Sequence, residues 1–273
     1  MTCTFSRFDQ GGIEVIRCTP KKQARGAPPV VFVHGAFAAA WVWAEQFMPR
    51  FAEAGYESYA LSLRGHGESF GGDHVNHHSI RDYCDDLTAL IEAIGQVPVL
   101  AGHSMGGFVV QKYLEHHIAR AAILMSSVPP QGLVAATFHL FMKRPGLLLE
   151  LNRLLSNQDI SLDAARESLF AKPISDERLV NFLQRMSPES QRAIWDMSMF
   201  NLVNITLVRR TPLMVLGVEH DQLIPPFLVS TTAHSYGVTP RVFGGFGHGF
   251  PLEEGGGDIA DAMVEWLRSL GIL

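Results

Sequence analysis

Three cysteines, no dense basic patch and no long apolar run bound what this chain can be. Cys3, Cys18 and Cys84 are too few and too scattered for a disulfide framework or a zinc motif. They read as small apolar fillers in a reducing compartment. No apolar stretch approaches the roughly 20 residues that would span a membrane. The start, MTCTFSRFDQGG, lacks a basic lead followed by an apolar core, so no secretory signal is expected. Charge is also scarce, with 18% Asp, Glu, Lys and Arg and a net charge of −5. The nearest basic runs, Lys21-Lys22 and Arg209-Arg210, read as solvated loop or strand-edge charges, so a nucleic-acid partner is not expected. A soluble, cytoplasmic protein without a cofactor is the expectation.

What the chain does have is apolar side chains, 47% of 273 residues, enough for one large core. Thr4–Asp9 and Ile13–Cys18, split by Gly11-Gly12, read as a hairpin. Val30–Val33 is a continuous β-branched run suited to a strand covered on both faces. Glu57–Leu63, Val97–Ala101 and Ala121–Met125 read as further strands, alternating with helical patterns around Trp43 to Phe51, Ile80 to Ile94 and Met105 to Tyr113. Such alternation predicts an α/β fold, a mostly parallel sheet flanked by helices.

From Gln131 the alternation breaks. Helical patterns at Leu147–Leu155, Ala164–Phe170, Leu179–Met186 and Gln191–Phe200 follow, punctuated by Pro145, Pro173 and Pro188, and Val203–Val208 reads as a strand. Residues 131–206 are therefore expected to be a helical insertion in a core built from 1–130 and 207–273. Strand and helix return with Leu213–Val218, Leu228–Tyr236, Arg241–Phe243 and Asp258–Leu270.

Gly102-His103-Ser104-Met105-Gly106 lies where a strand turns sharply into a helix, a G-x-S-x-G arrangement. The tight turn holds its central residue in strained geometry and leaves no room for bulk beside it. Ser104 is thus expected at the tip, at the positive end of the following helix, where free N–H groups favour developing negative charge. A serine hydroxyl is a weak nucleophile and requires a base held by a third group. After Leu213–Val218 comes Glu219-His220-Asp221, and after Arg241–Phe243 comes Gly247-His248-Gly249. Ser104, Asp221 and His248 each stand just past a strand end and form the candidate triad. Glu219 is the competing partner for His248.

VVFVHGAF, LRGHGES, GHSMGG, LGVEHDQLIP and FGHGFPLEE, in this order, resemble the α/β-hydrolase fold over almost the whole chain. The resemblance implies Ser104 as nucleophile, His248 as general base and acid, and Asp221 as its orienter. It carries one oxyanion-hole N–H to Ala36, the other being that of Met105 next to the nucleophile. Ala36 and Phe37 stand where an HGGG form has glycines, and Phe37 narrows that loop as a substrate-contacting residue, which speaks against very bulky alcohol groups. The insertion is similar to the family's helical cap. Epoxide and haloalkane hydrolases of this fold carry aspartate at the nucleophile, so serine favours attack on an acyl carbon.

The remaining polar candidates read as structural. His34, His66, His103 and His220 pack or hydrogen-bond near the site. Asp73, His74, His77 and His78 form a polar exposed loop, and no metal is expected. Aromatic and methionine side chains of the insertion mostly pack it down, and the rest line a pocket for an apolar group. The expected activity is hydrolysis of small to medium uncharged carboxylic esters, with thioesters, lactones, carbon–carbon bonds and a haloperoxidase side reaction open to the same residues. A lysophospholipase or monoacylglycerol-lipase-like activity is an alternative within enzymes, and a slow-turnover ligand receptor on the same fold is one outside them. A purely structural or interaction role would not call for all three residues.

Overall fold

The computed structural model describes residues 3–156, 158–208 and 211–273. Its strands are β1 (Cys3–Gln10), β2 (Ile13–Pro20), β3 (Val30–Val33), β4 (Ser58–Leu61), β5 (Val99–His103), β6 (Ala121–Met125), β7 (Leu213–Val218) and β8 (Arg241–Phe243). They form one sheet in the order β1-β2-β4-β3-β5-β6-β7-β8. β1 and β2 pair antiparallel, as do β2 and β4, and every pair from β4 to β8 is parallel. The fold is the expected α/β architecture.

Alternating side chains explain why the parallel strands read as unbroken apolar runs. Val30 and Phe32 point into one core layer with Ala101, Ile123 and Leu216, while Val31 and Val33 join Leu100, Leu124 and Val215 in the other. The helices α1 (Phe47–Glu53), α2 (Ile80–Ile94) and α3 (Met105–Tyr113) cover these layers. α2 begins where Ser79 and Asp82 cap each other and ends at Gly95 in the left-handed region.

Between β6 and β7 the described chain is helical: α4 (Val134–Lys143), α5 (Pro145–Leu155), α6 (Leu162–Leu169), α7 (Asp176–Gln184), α8 (Gln191–Trp195) and α9 (Ile205–Val208). α8 runs on into a π-helical turn, Asp196–Phe200. α10 (Pro226–Tyr236) and α11 (Gly257–Ser269) complete the chain.

One expected strand is corrected. Residues from Ile205 to Val208 are helical and join no sheet, because β6 already has β5 and β7 as neighbours and β7 has β6 and β8. The β-branched composition suited a strand, but both neighbours of β6 and of β7 are taken by other strands. The Arg209-Arg210 pair lies outside the described residues. No described helix is long and apolar enough to cross a membrane.

Candidate active site

β5 ends at His103, and the chain reverses into α3 through Ser104, whose backbone sits at φ 55°, ψ −118°. Only surrounding structure can hold a non-glycine residue there. A Cβ at Gly106 would run into the carbonyl oxygens of Val33 and His34, and one at Gly102 into the backbone of Gly106 and Gly107. The glycines therefore let α3 rest directly on β3 and β5, and Ser104 is forced to the tip. Its N–H donates to the Met125 carbonyl (3.0 Å), and its own carbonyl receives the Val128 N–H (3.1 Å).

β7 and β8 deliver the other two groups. His248 Nδ1 lies 2.8 Å from Asp221 Oδ2 and 3.0 Å from Oδ1. Asp221 Oδ1 also accepts the N–H groups of Leu223 (2.9 Å) and Ile224 (2.7 Å), so backbone fixes the carboxylate. The Asp221 side chain is fully buried and that of His248 is nearly so. A carboxylate only accepts, so Nδ1 carries the proton and Nε2 remains for chemistry. Ser104 and His248 line one cavity, together with Gly35, Ala36 and Phe37. The competing acid, Glu219, is exposed; it accepts the Gly245 N–H and pairs with His220 rather than His248.

The N–H groups of Ala36 and Met105 donate to no protein acceptor among the described residues. Met105 is the first residue of α3, where N–H groups are free by construction. Phe37 sits at φ 63° with its carbonyl receiving the Ser187 N–H (3.0 Å), so the helical segment after β6 reaches down and fixes this loop.

Three buried histidines surround the site, and their hydrogen bonds assign their charge. His34 Nε2 accepts the Leu63 N–H (3.0 Å) while Nδ1 donates to the Gly35 carbonyl (2.8 Å), which describes a neutral ring. Burial, with the charge of neighbouring His66, pushes its pKa down to about 3. His103 donates Nε2–H to the His248 carbonyl (3.1 Å). Burial, then repulsion from His248, holds His103 well below the usual histidine range, so an imidazolium at His248 faces no second cation there. His66 is different. Burial would lower it, but the Glu189 carboxylate 3.0 Å from Nε2 outweighs that and raises it. Its Nδ1 faces the Arg64 carbonyl (3.1 Å), so both nitrogens are protonated. Glu189 also accepts the Tyr83 hydroxyl (2.8 Å). The sequence marked His66 as structural and Tyr83 as part of the apolar side of the Ile80 to Ile94 helix, and gave no sign of Glu189, since its meeting with both depends on how the helical segment docks.

His78 Nε2 bonds the Gly71 carbonyl (2.9 Å), and the His74 and His77 rings lie 6.3 Å apart. Among the described residues no three His, Cys, Asp or Glu side chains converge as a metal site.

The chain is 35% identical over 106 residues to epoxide hydrolase A of Mycobacterium tuberculosis, covering 38% of this chain and 33% of that protein. It is 32% identical over 126 residues to the monoacylglycerol lipase of Mycolicibacterium smegmatis, covering 44% of each. The matched stretches thus span less than half the length of these relatives. The crystal structure of an N-acyl homoserine lactonase complexed with N-hexanoyl homoserine superposes with a TM-score of 0.73 at 19% identity, covering 98% of this chain and 97% of that one, which shows the shared fold. The sequence profile of the alpha/beta hydrolase family matches residues 30–262. With that span of the chain matched, and with this sheet order, the protein belongs to the alpha/beta hydrolase family.

Proposed function

We propose that this protein is a serine hydrolase that cleaves small to medium uncharged carboxylic esters through an acyl-enzyme on Ser104. One observation carries the reading: Asp221 engages His248 through Nδ1, leaving Nε2 free in the cavity that Ser104 lines. In the first step the Ser104 proton passes to Nε2 as Oγ bonds to the carbonyl carbon. The carbonyl oxygen takes the negative charge and the Ala36 and Met105 N–H groups receive it; one such donor contributes about 2.7–4 kcal/mol. The carbon–oxygen bond to the alcohol then breaks, and Nε2 returns the proton to the departing oxygen. Water, deprotonated by the same nitrogen, repeats the sequence on the acyl-enzyme and frees the acid.

The relatives include an epoxide hydrolase and a monoacylglycerol lipase. Epoxide hydrolases of this fold attack with aspartate, so Ser104 supports the acyl chemistry of the second. Residues 131–206 serve as a cap over the site, held to the oxyanion loop through Ser187 and Phe37. Monoacylglycerols are the second reading, favoured by the lipase relative, and long-chain glycerides assayed beside short esters separate the two.

The experiment is a panel of esters, thioesters and lactones offered to the wild type and to Ser104→Ala, with fluorophosphonate labelling read by peptide mass. The expected result is label on Ser104 and ester hydrolysis lost in the variant with its fold intact. Hydrolysis that survives Ser104→Ala, or label elsewhere, overturns the reading.

A further inference from the structure

Two cavities meet at Ser104, and they are unequal. Both have Phe37, Ser104, Leu151 and Leu223 on their walls. The smaller, about 130 Å³, also takes in Ala36, His103 and His248. The larger, about 520 Å³, runs beneath α4, α5 and α8 past Ala136, Leu148 and Trp195, and His248 is absent from its wall. We propose that the larger cavity holds the acyl arm and the smaller one the departing alcohol, so that the preferred substrates join an extended apolar acid to a compact alcohol. The assignment rests on the acyl-enzyme reading above and specifies its substrate.

The direction of proton transfer decides which arm goes where. At the tetrahedral carbon one bond goes to Ser104 Oγ and one to the oxyanion, which the Ala36 and Met105 N–H groups receive. The bond that breaks must end on an oxygen within about 2.6–3.2 Å of a proton donor. That donor is His248 Nε2, and His248 walls only the smaller cavity. The fourth substituent, the acyl chain, is left pointing away from His248, into the larger cavity.

Size and chemistry then describe each arm. A cavity of about 150 Å³ holds a benzene ring, so 130 Å³ limits the alcohol to about that bulk. Leu169, Phe182 and Leu252 make its wall apolar. The larger cavity falls within the range of about 300–1,000 Å³ usual for whole ligands. Several of its polar side chains already have backbone partners, Gln191 among them through the Leu155 carbonyl (3.2 Å). Asn152 donates to the Leu148 carbonyl (3.0 Å), Ser156 to Asn152 (2.9 Å) and Ser198 to Ile194 (2.7 Å). An apolar chain can therefore lie there without stranding a buried polar group. Trp195, on that wall, is 54% exposed, so the cavity opens to solvent there and long acyl chains are tolerated.

Constitutional isomers test this directly. Methyl octanoate and heptyl acetate contain the same atoms but place the long chain on opposite sides of the ester. The assignment expects kcat/KM to favour methyl octanoate by about tenfold or more. Leu148→Trp, which fills the larger cavity, and Met186→Ala, which opens the smaller one, should each reduce that ratio severalfold. Equal rates or a preference for heptyl acetate in the wild type would overturn the assignment, as would a ratio that neither variant moves. If neither isomer is cleaved while fluorophosphonate still labels Ser104, the arm assignment fails alone. If Ser104 is also unlabelled, the acyl-enzyme reading fails with it.

Discussion

Glu189 and His66, 123 residues apart in sequence, form an ion pair 3.0 Å long with both side chains fully buried. His66 belongs to the loop after β4, and Glu189 to the helical segment between β6 and β7. Ser187, two residues before Glu189, donates its N–H to the Phe37 carbonyl and accepts the Gly67 N–H at its hydroxyl (both 3.0 Å). The pair thus anchors the short stretch that holds the strained Phe37 loop, the proposed oxyanion loop, in place.

Removing one member of such a pair costs about 3–5 kcal/mol, because the group left behind must stay charged without a partner or give up its charge and hydrogen bond. Glu189→Ala is expected to lower the melting temperature accordingly, and Glu189→Gln by less because the amide still reaches Tyr83 or His66. In both, kcat should fall more than KM rises, since a loosened Phe37 loop affects the oxyanion before it affects substrate binding. Thermal melts and steady-state kinetics on the two variants check this, and an unchanged kcat would separate the pair from the oxyanion loop.

The buried histidines also set how stability depends on pH. His66 has a folded pKa above its unfolded value of about 6.5. Its contribution is complete below that pH and is lost as pH rises through the folded value. His34 and His103 are shifted the other way, His34 to about 3. Their contributions are present above about pH 6.5 and are lost as pH falls toward the folded values. Melting temperatures from about pH 4 to about pH 9 should therefore decline on both sides of neutrality. In Glu189→Gln the part of the alkaline decline that belongs to His66 should vanish, because a buried imidazole without its carboxylate stays neutral.

Close backbone approach gives a third test. Gly106 faces the Val33 and His34 carbonyls with no space for a methyl group, whereas Gly72 has open space around it. Gly106→Ala should destabilise by about 3 kcal/mol or more and reduce activity sharply, because relief requires α3 to lift from β3 and carry Ser104 with it. Gly72→Ala should change neither measurably. Circular-dichroism melts together with ester turnover report both quantities.

These sites differ in how far a sequence can reveal them. Val30–Val33 was legible because burial on both faces leaves an unbroken β-branched run. Ser104, Asp221 and His248 were legible because each follows a strand end. The helix α4 was hidden. Its outward Val134, Phe138 and Phe141 are as apolar as its buried Ala136 and Leu140, so no one-sided stripe marks it. Val203–Val208 misled because β propensity says nothing about whether a sheet edge is available. Glu189 could not be read at all, since an acid in a polar stretch looks solvated until docking encloses it.

The two acids on the β7 loop are the sharpest test of the candidate triad. Asp221 holds His248 and two backbone N–H groups, while Glu219, two residues earlier, is exposed and holds the Gly245 N–H and His220. Asp221→Asn keeps the shape and an oxygen for the Leu223 and Ile224 N–H groups. Its amide, however, would donate toward Nδ1 and push the His248 proton to Nε2, the nitrogen that must be bare to accept the serine proton. In a triad this wrong tautomer lowers kcat by about 10⁴, and a similar loss is expected here with the melting temperature little changed. Glu219→Gln should retain turnover within about twofold, as an exposed site away from the chemistry. Pre-steady-state and steady-state ester hydrolysis of both variants, measured side by side, distinguishes these outcomes. Equal losses in the two would move the orienting role away from Asp221.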